Sequence, residues 1–398
     1  MHIQRTVTIT IEYDEDLKST LDTFREVQQR LSEPCFNTGK PLPALALHRK
    51  CYHEVKGSLN SQMTCSAIRL VAGAYASAQS NKKPAKRPFQ FKRAHALFLV
   101  GKRGRDASFT SESTLSLWTI TGKRKHLSYQ VPQDFKATLE RAIQIDSLTV
   151  LQRNGKLIGR VAVPLEVPDP AGILPVGIDL NETNALVAVD PDNRTLFISG
   201  KAVKVKNRRT AQTRSRLQKK HATRKAEKKD TRSIRRLLKR LGRKHRNRTR
   251  TFAQQTAKQL VQWAPKNAVL VFEDLHIPHP EKGKLRGRAL RRRMSLWQRT
   301  LIRSCVENKA QENGMRVARV NPAYTSKNCS RCGLRGVRKR HSFTCPHCGH
   351  SDHADINAAV NIRNRYAVFR HGGLSSMSPE ALSSSEDEGK PPSSDGGH

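Results

Sequence analysis

Four of the eight cysteines, Cys329, Cys332, Cys345 and Cys348, fall within residues 329–348 in the spacing C-x2-C-x12-C-x2-C. A C-x-x-C turn aims two thiolates at one tetrahedral centre. Gly333 and Gly349, each following a pair, supply the permissive backbone that such a knuckle uses. Zinc prefers an all-sulfur set, which leaves no position open for water, so the site is expected to be structural. His341, His347, His350 and His353 are alternative ligands nearby. With four cysteines completing the shell, they are expected to meet phosphate or solvent instead. The other cysteines, Cys35, Cys51, Cys65 and Cys305, are scattered as small core residues usually are. This distribution suits zinc in a reducing compartment rather than a disulfide framework.

Charge narrows the partners. The 398 residues hold 74 Lys and Arg against 33 Asp and Glu, a formal net charge of +41, and the plain physical partner of such a chain is a polyanion. No apolar run approaches the roughly 18 residues that a spanning helix needs, so nucleic acid is favoured over membrane. The opening MHIQRTVTITIEYDED has no charged-then-apolar signal region, and the chain is expected to stay in the cytoplasm. A hydrophobic content of 36% argues for a modular protein rather than one large body.

The modules can be read from texture. VTITIEY alternates as a half-buried strand does, and helical patterns follow in DLKSTLDTFREVQQRLS and, after NTGKPLP, as far as about residue 78. From residue 88 to about 165, short β-rich runs alternate with turns such as the hairpin RNGK. The pattern predicts a β-barrel-like domain over 1–13 and 80–170 with a helical insert at 14–79. VPDPAGILP marks the next boundary, and PVGIDL, ALVAVD and TLFISG then predict an antiparallel meander. Residues 201–250 carry 23 Lys and Arg against Glu227 and Asp230, about half of the net charge. Within them Ile234, Leu237, Leu238 and Leu241 follow helical spacing, so part of the run is an amphipathic helix. A solvated face or a disordered arm is the ordinary meaning of such a run. This many like charges on one arm nevertheless repel one another unless phosphates neutralise them. Beyond it come a helix to about Ala264, the buried strand NAVLVFEDL, a basic loop, a helix from about Arg292 to Asn313, the strand MRVARV and the cysteine segment. From about residue 370 the Ser-, Gly- and Pro-rich composition predicts a disordered tail.

Three carboxylates stand out in a chain short of acids. Asp179 lies in PVGIDL, on the face opposite Val176, Ile178 and Leu180, where an acid is costly unless solvated or bound to a cation. Glu273 ends the apolar run VLVFED, with Asp274 beside it as the alternative. Asp355 shares a helical face with Ala358, Ala359 and Ile362, and the alanines let that helix pack closely on a sheet. With Asp352 as N-cap, Asp355 can also merely serve the helix start. Taken together, acids on two strands and a helix suit a magnesium centre that activates water against a phosphodiester.

GIDL at 177–180, FEDL at 272–275, PAYTSKNCSRCG at 322–333, CPHCGH at 345–350 and DHADINAAVNI at 352–362 resemble, in order, the TnpB family of transposon-encoded nucleases and the related compact type V CRISPR effectors. The resemblance covers residues 174–366. It implies an α/β RNase H-like (RuvC) nuclease domain over 171–321 and 351–369, with catalytic, magnesium-binding Asp179, Glu273 and Asp355. It also implies a zinc-ribbon insertion at 322–350 that guides the nucleic-acid strand, a wedge-like N-terminal barrel with a recognition-helix insert, a bound guide RNA, and DNA as the target in double- and single-stranded form. The activity expected is RNA-guided DNA cleavage. A guided repressor that does not cut, an RNA-binding zinc-ribbon protein and a guide-independent transposase are the rivals. The last two leave either the three acids or the zinc insertion without a purpose.

Overall fold

The computed structural model describes residues 1–101, 106–181, 183–275 and 299–371. The chain divides into two compact units, Met1–Val167 and Pro168–His398. In the first, strand β1 (His2–Ile11) leads into helices α1 (Glu15–Asn37), α2 (Ala44–Val55) and α3 (Ser61–Ser80). The long helical pattern after NTGKPLP therefore breaks into two helices, with Asn60 capping the second through Met63 N–H at 2.7 Å. Helix α1 runs on through Pro34, beyond the Ser32 at which its sequence pattern stops, because Leu31 and Cys35 stay buried on the same face.

Strands β2 (His95–Leu99), β3 (Ala107–Phe109), β4 (Thr114–Trp118) and β5 (Arg124–Gln130), helix α4 (Gln133–Glu140), and strands β6 (Ser147–Arg153) and β7 (Lys156–Glu166) complete the unit. The sheet order is β2-β6-β7-β1-β5-β4-β3, and a bridge between Val100 and Ala107 links its two edges. The buried Asp106 holds that seam, accepting from Leu99 N–H at 3.2 Å and from Asn60 Nδ2 at 3.0 Å. The RNGK turn is a tight hairpin with Arg153 opposite Lys156, and both Asn154 (φ 52°) and Gly155 (φ 76°) take the left-handed backbone that it needs. Helix α4 went unpredicted, since eight residues give too little periodicity to stand out.

The second unit opens with the expected meander, β8 (Leu174–Asp179), β9 (Asn184–Val189) and β10 (Thr195–Ser199). It continues through α5 (Lys201–Ala226), α6 (Arg232–Trp263), β11 (Ala268–Glu273), α7 (Arg299–Glu312) and β12 (Arg316–Val320). The sheet order is β10-β9-β8-β11-β12, with β11 parallel to both β8 and β12. The basic run forms helices α5 and α6, with Ile234 buried, and Arg248 of α6 reaching Asn207 Oδ1 of α5 at 3.2 Å. The basic loop and the first residues expected of α7 lie outside the described residues.

Three short strands, β13 (Val337–Lys339), β14 (Ser342–Thr344) and β15 (Ser351–His353), form the ribbon, and α8 (Ala354–His371) follows directly. Two expectations are corrected here. Asp352 is not a helix cap: it pairs with Phe343 inside β15, which moves the helix start to Ala354 and makes Asp355 the second helical residue. Residues 370 and 371, placed in the disordered tail, instead end α8, and the rest of that tail lies outside the described residues.

The central strands β8, β9 and β11 are buried on both faces, as the unbroken apolar runs require. Val176, Ile178, Leu180, Leu270 and Phe272 pack with Ala257 and Leu260 of α6 and Val306 of α7. Val269, Val271 and Val320 pack on the other face with Ile362 of α8. Gly177 lies on this second face, and a Cβ there would land on the Ala359 carbonyl oxygen of α8. The absence of a side chain at Gly177 is what lets α8 lie against the sheet.

Candidate metal centres

The register Val271↔Gly177, Phe272↔Ile178 places Glu273 and Asp179 side by side at the carboxyl ends of adjacent parallel strands. Both lie on the face that α8 covers, and the close approach at Gly177 brings Asp355, one turn before Ala359, down beside them. Asp355 and Asp179 are nearly sequestered from solvent, at 1% and 8% exposure. Asp274, the alternative to Glu273, points outward and lies 3.7 Å from Arg319.

Burial, followed by the charges of Glu273 and Asp355, pushes the Asp179 carboxyl up to about 7. Burial also raises Glu273, against the hydrogen bond from Thr325. Acids thus crowd Asp179 even with Arg338 beside Asp355, and the all-oxygen donor set of the three carboxylates fits a hard cation such as magnesium. Asp179, Glu273 and Asp355 would hold such an ion, and the chemistry it would supply is activation of water and charge stabilisation at a leaving oxygen.

Each acid has its own partner. Asn181 Nδ2 donates to Asp179 at 3.3 Å and Asn184 Nδ2 to Asp355 at 2.9 Å. Arg338 of the ribbon donates to the other Asp355 oxygen at 2.8 Å. The Thr325 hydroxyl donates to Glu273 Oε1. Sequence reasoning missed all four partners, and the residues themselves offered little signal: Arg338 is one of 74 Lys and Arg.

Thr325 is buried in a loop held by α8, where Asn361 Nδ2 donates to the carbonyls of Thr325 and Asn328, each at 2.8 Å. A hydrogen bond to a charged group contributes about 1.5–3 kcal/mol, and loss of a partner that orients a ligand typically costs 10–100-fold in metal affinity. Thr325→Val, which keeps the shape without the hydroxyl, is therefore expected to weaken magnesium binding at this site about tenfold or more. Thr325→Ser should restore it; equal magnesium affinity in the native, Val and Ser forms would remove Thr325 from this role.

The four cysteine sulfurs lie within 4.8 Å of one another. Cys329 Sγ is 3.6 Å from Cys348 Sγ, and Cys332 Sγ is 3.5 Å from Cys345 Sγ. Zinc–sulfur bonds of about 2.3 Å give a tetrahedron with edges of roughly 3.8 Å, so the cluster fits zinc with little adjustment. Both knuckles repeat one geometry: Gly333 N–H bonds Cys329 O at 2.9 Å, and Gly349 N–H bonds Cys345 O at 3.1 Å. Among the described residues, only Phe343 and Ala354 join the buried Cys329 and Cys345 in this cluster, too small a core to hold the ribbon without metal. Zinc chelation is expected to abolish amide-exchange protection across 329–353 while leaving residues 1–167 protected; a ribbon that stays protected after chelation would show that it needs no metal.

Of the four histidines, His341 and His353 stack with ring centroids 5.5 Å apart, and both come within reach of Asp355. His350 lies beside the cysteine knot, with Nε2 3.5 Å from Ser330 Oγ. His347 is exposed.

Residues 159–283 match the family model described as "Probable transposase", and residues 300–362 match that of the "Cas12f1-like, TNB domain". A TnpB-like protein of Aquifex aeolicus is 35% identical over 132 residues, covering 31% of this chain and 42% of that protein. The CRISPR-associated endodeoxyribonuclease Cas12f1 of Sulfoacidibacillus thermotolerans is 44% identical over 57 residues, 14% of each chain. The chain thus spans less than half the length of these curated relatives. Among solved structures, a Cas12f1–sgRNA–target DNA complex aligns with TM-score 0.59 at 14% identity, covering 92% of this chain and 99% of that one. The mini-RNA-guided endonuclease CRISPR-Cas_phi3 aligns with TM-score 0.52 at 12% identity, covering 92% of each. The fold is therefore that of the compact type V effectors. In sequence the chain resembles the TnpB family, as its motifs indicated.

Proposed function

We propose that this chain is an RNA-guided DNA endonuclease, with an RNase H-like (RuvC) nuclease domain, interrupted by the zinc ribbon, that hydrolyses phosphodiesters using magnesium held by Asp179, Glu273 and Asp355. One observation carries the reading: three acids, 94 and 82 residues apart in the sequence, converge on one end of one sheet in a chain with a net charge of +41. A buried acid cluster is costly, and binding a catalytic cation is the return that offsets it. Asn184 and Thr325 orient Asp355 and Glu273. Helices α5 and α6 offer a basic surface for phosphates, and the ribbon positions the strand to be cut. The similar Cas12f1 complex contains sgRNA and target DNA, which favours the same kinds of partner here. The N-terminal sheet with its three helices takes the wedge and recognition roles.

On this reading, sequence is read by base pairing while the protein checks a short flanking motif and the backbone shape. The test is to purify the protein with its bound RNA, sequence that RNA, and assay magnesium-dependent cleavage of matching DNA before and after RNase treatment. Cleavage that needs the RNA is expected. Cutting that survives RNase points to a guide-independent enzyme, and RNA-dependent binding without cutting points to a repressor.

A further inference from the structure

Beside the carboxylate centre, one side-chain group is left without a purpose. His341, in the turn after β13, His353, ending β15, and Asp355 bring their ligand atoms within 4.8 Å of one another. The two imidazoles stack with an interplanar angle of 22°, and the edge of Phe197 packs on His353 at 5.2 Å, so the His353 ring is braced. The backbone of His341 is held as well, through Ala354 N–H to His341 O at 2.7 Å.

Asp355 N–H donates to His353 Nδ1 at 3.2 Å, so Nδ1 carries the one lone pair of the ring, and an ion bound there would displace this backbone hydrogen bond. That nitrogen lies 3.9 Å from Asp355 Oδ2. The gap is too wide for a hydrogen bond and about half an ångström wider than the roughly 3.4 Å between two tetrahedral ligands that each sit about 2.0–2.1 Å from a shared ion, so an ion would draw the two groups together. Oδ2 already accepts from Asn184 Nδ2 at 2.9 Å, and Arg338 occupies the other carboxylate oxygen, Oδ1.

We propose that His341, His353 and Asp355 form a second cation site, selective for imidazole-preferring transition ions such as cobalt, nickel or zinc, whose occupation withdraws Asp355 from magnesium. Two imidazoles and one carboxylate suit borderline transition metals, whereas magnesium wants oxygen throughout. Filling the site pulls Oδ2 toward the histidines and away from Asp179 and Glu273. The binding claim stands on geometry alone; the inhibition claim rests on the nuclease reading.

The experiment titrates cobalt(II) into the full chain with its cysteine knot zinc-loaded and magnesium in excess, following visible absorption. One equivalent is expected to bind with a nitrogen–oxygen spectrum that lacks the intense thiolate charge-transfer band. His341→Ala should weaken that binding by at least about tenfold, and His353→Ala likewise. If His353→Ala fails to fold, the exposed His341 decides. Uptake showing only the thiolate band, or uptake unchanged in His341→Ala, overturns the site. In a parallel cleavage assay, the cobalt concentration for half-inhibition should rise by the same factor in His341→Ala, each variant being referred to its own cobalt-free rate. Cobalt binding without inhibition overturns the withdrawal of Asp355. An absence of magnesium-supported cleavage in the native chain sinks the nuclease reading, while the absorption titration still decides the site.

Discussion

Asp179→Ala should abolish DNA cleavage while leaving RNA binding intact, and Asp179→Asn should do the same while making the magnesium-free protein more stable. Both follow from one carboxylate pushed up to about 7 by burial and by its acidic neighbours. A raised carboxyl takes up a proton on folding, so its favourable contribution is present at low pH and is lost as pH rises from about 4 through about 7. Above that range, native Asp179 carries a charge that the fold opposes by on the order of 2–4 kcal/mol. Asparagine keeps the shape and the bond to Asn181 without that charge. Thermal denaturation at pH 8, in magnesium-free buffer with zinc retained, should show Asp179→Asn melting above the native chain, and magnesium should narrow the difference by stabilising only the native form. A lower melting point for Asp179→Asn, or cleavage by Asp179→Ala, would remove Asp179 from the proposed centre.

Gly177→Ala is expected to damage both activity and stability, although it adds only one methyl group. The new Cβ would meet the Ala359 carbonyl and the backbone of Arg363, neither of which can swing aside as a side-chain tip can. Helix α8 must lift, and Asp355 lifts with it. A displacement of about 1 Å at a catalytic group can cost about 100-fold in rate, and overpacking typically costs 1–3 kcal/mol. Gly242 is the matched control. It lies inside α6 with open space around its Cβ position, so Gly242→Ala should stabilise by up to about 1 kcal/mol and leave cleavage unchanged. If the two substitutions behave alike, close packing of α8 is not what places Asp355.

Much of this centre was legible in one dimension because the signals were periodic. Alternation along PVGIDL put Asp179 opposite Val176 and Ile178, and helical spacing put Asp355 with Ala358, Ala359 and Ile362; all four of those helical residues are buried together. Cysteine spacing marked a cluster with the dimensions of a zinc site. What stayed hidden depends on pairing between distant segments. Nothing local says that β12 lies beside β11, or that β15 keeps pairing through His353 and so displaces the expected cap at Asp352. Arg338, Asn184 and Thr325 carry no pattern of their own, because each acquires its partner only when the ribbon, the meander and α8 come together.

The passage from β15 into α8 without an intervening residue limits how this protein can be rebuilt. Each residue inserted or deleted at that junction would rotate Asp355 about the helix axis by about 100° relative to the ribbon. The opposite border, residues 321–324 between β12 and the buried Thr325, is tied to α8 through Arg365 at the carbonyls of Asn321 and Ala323 but has no helix or strand register to preserve. Transplanted ribbons of other lengths should therefore be accepted when the difference is absorbed on that side and rejected when it falls at the helix. Lineages carrying longer or shorter knots would be expected to vary there first.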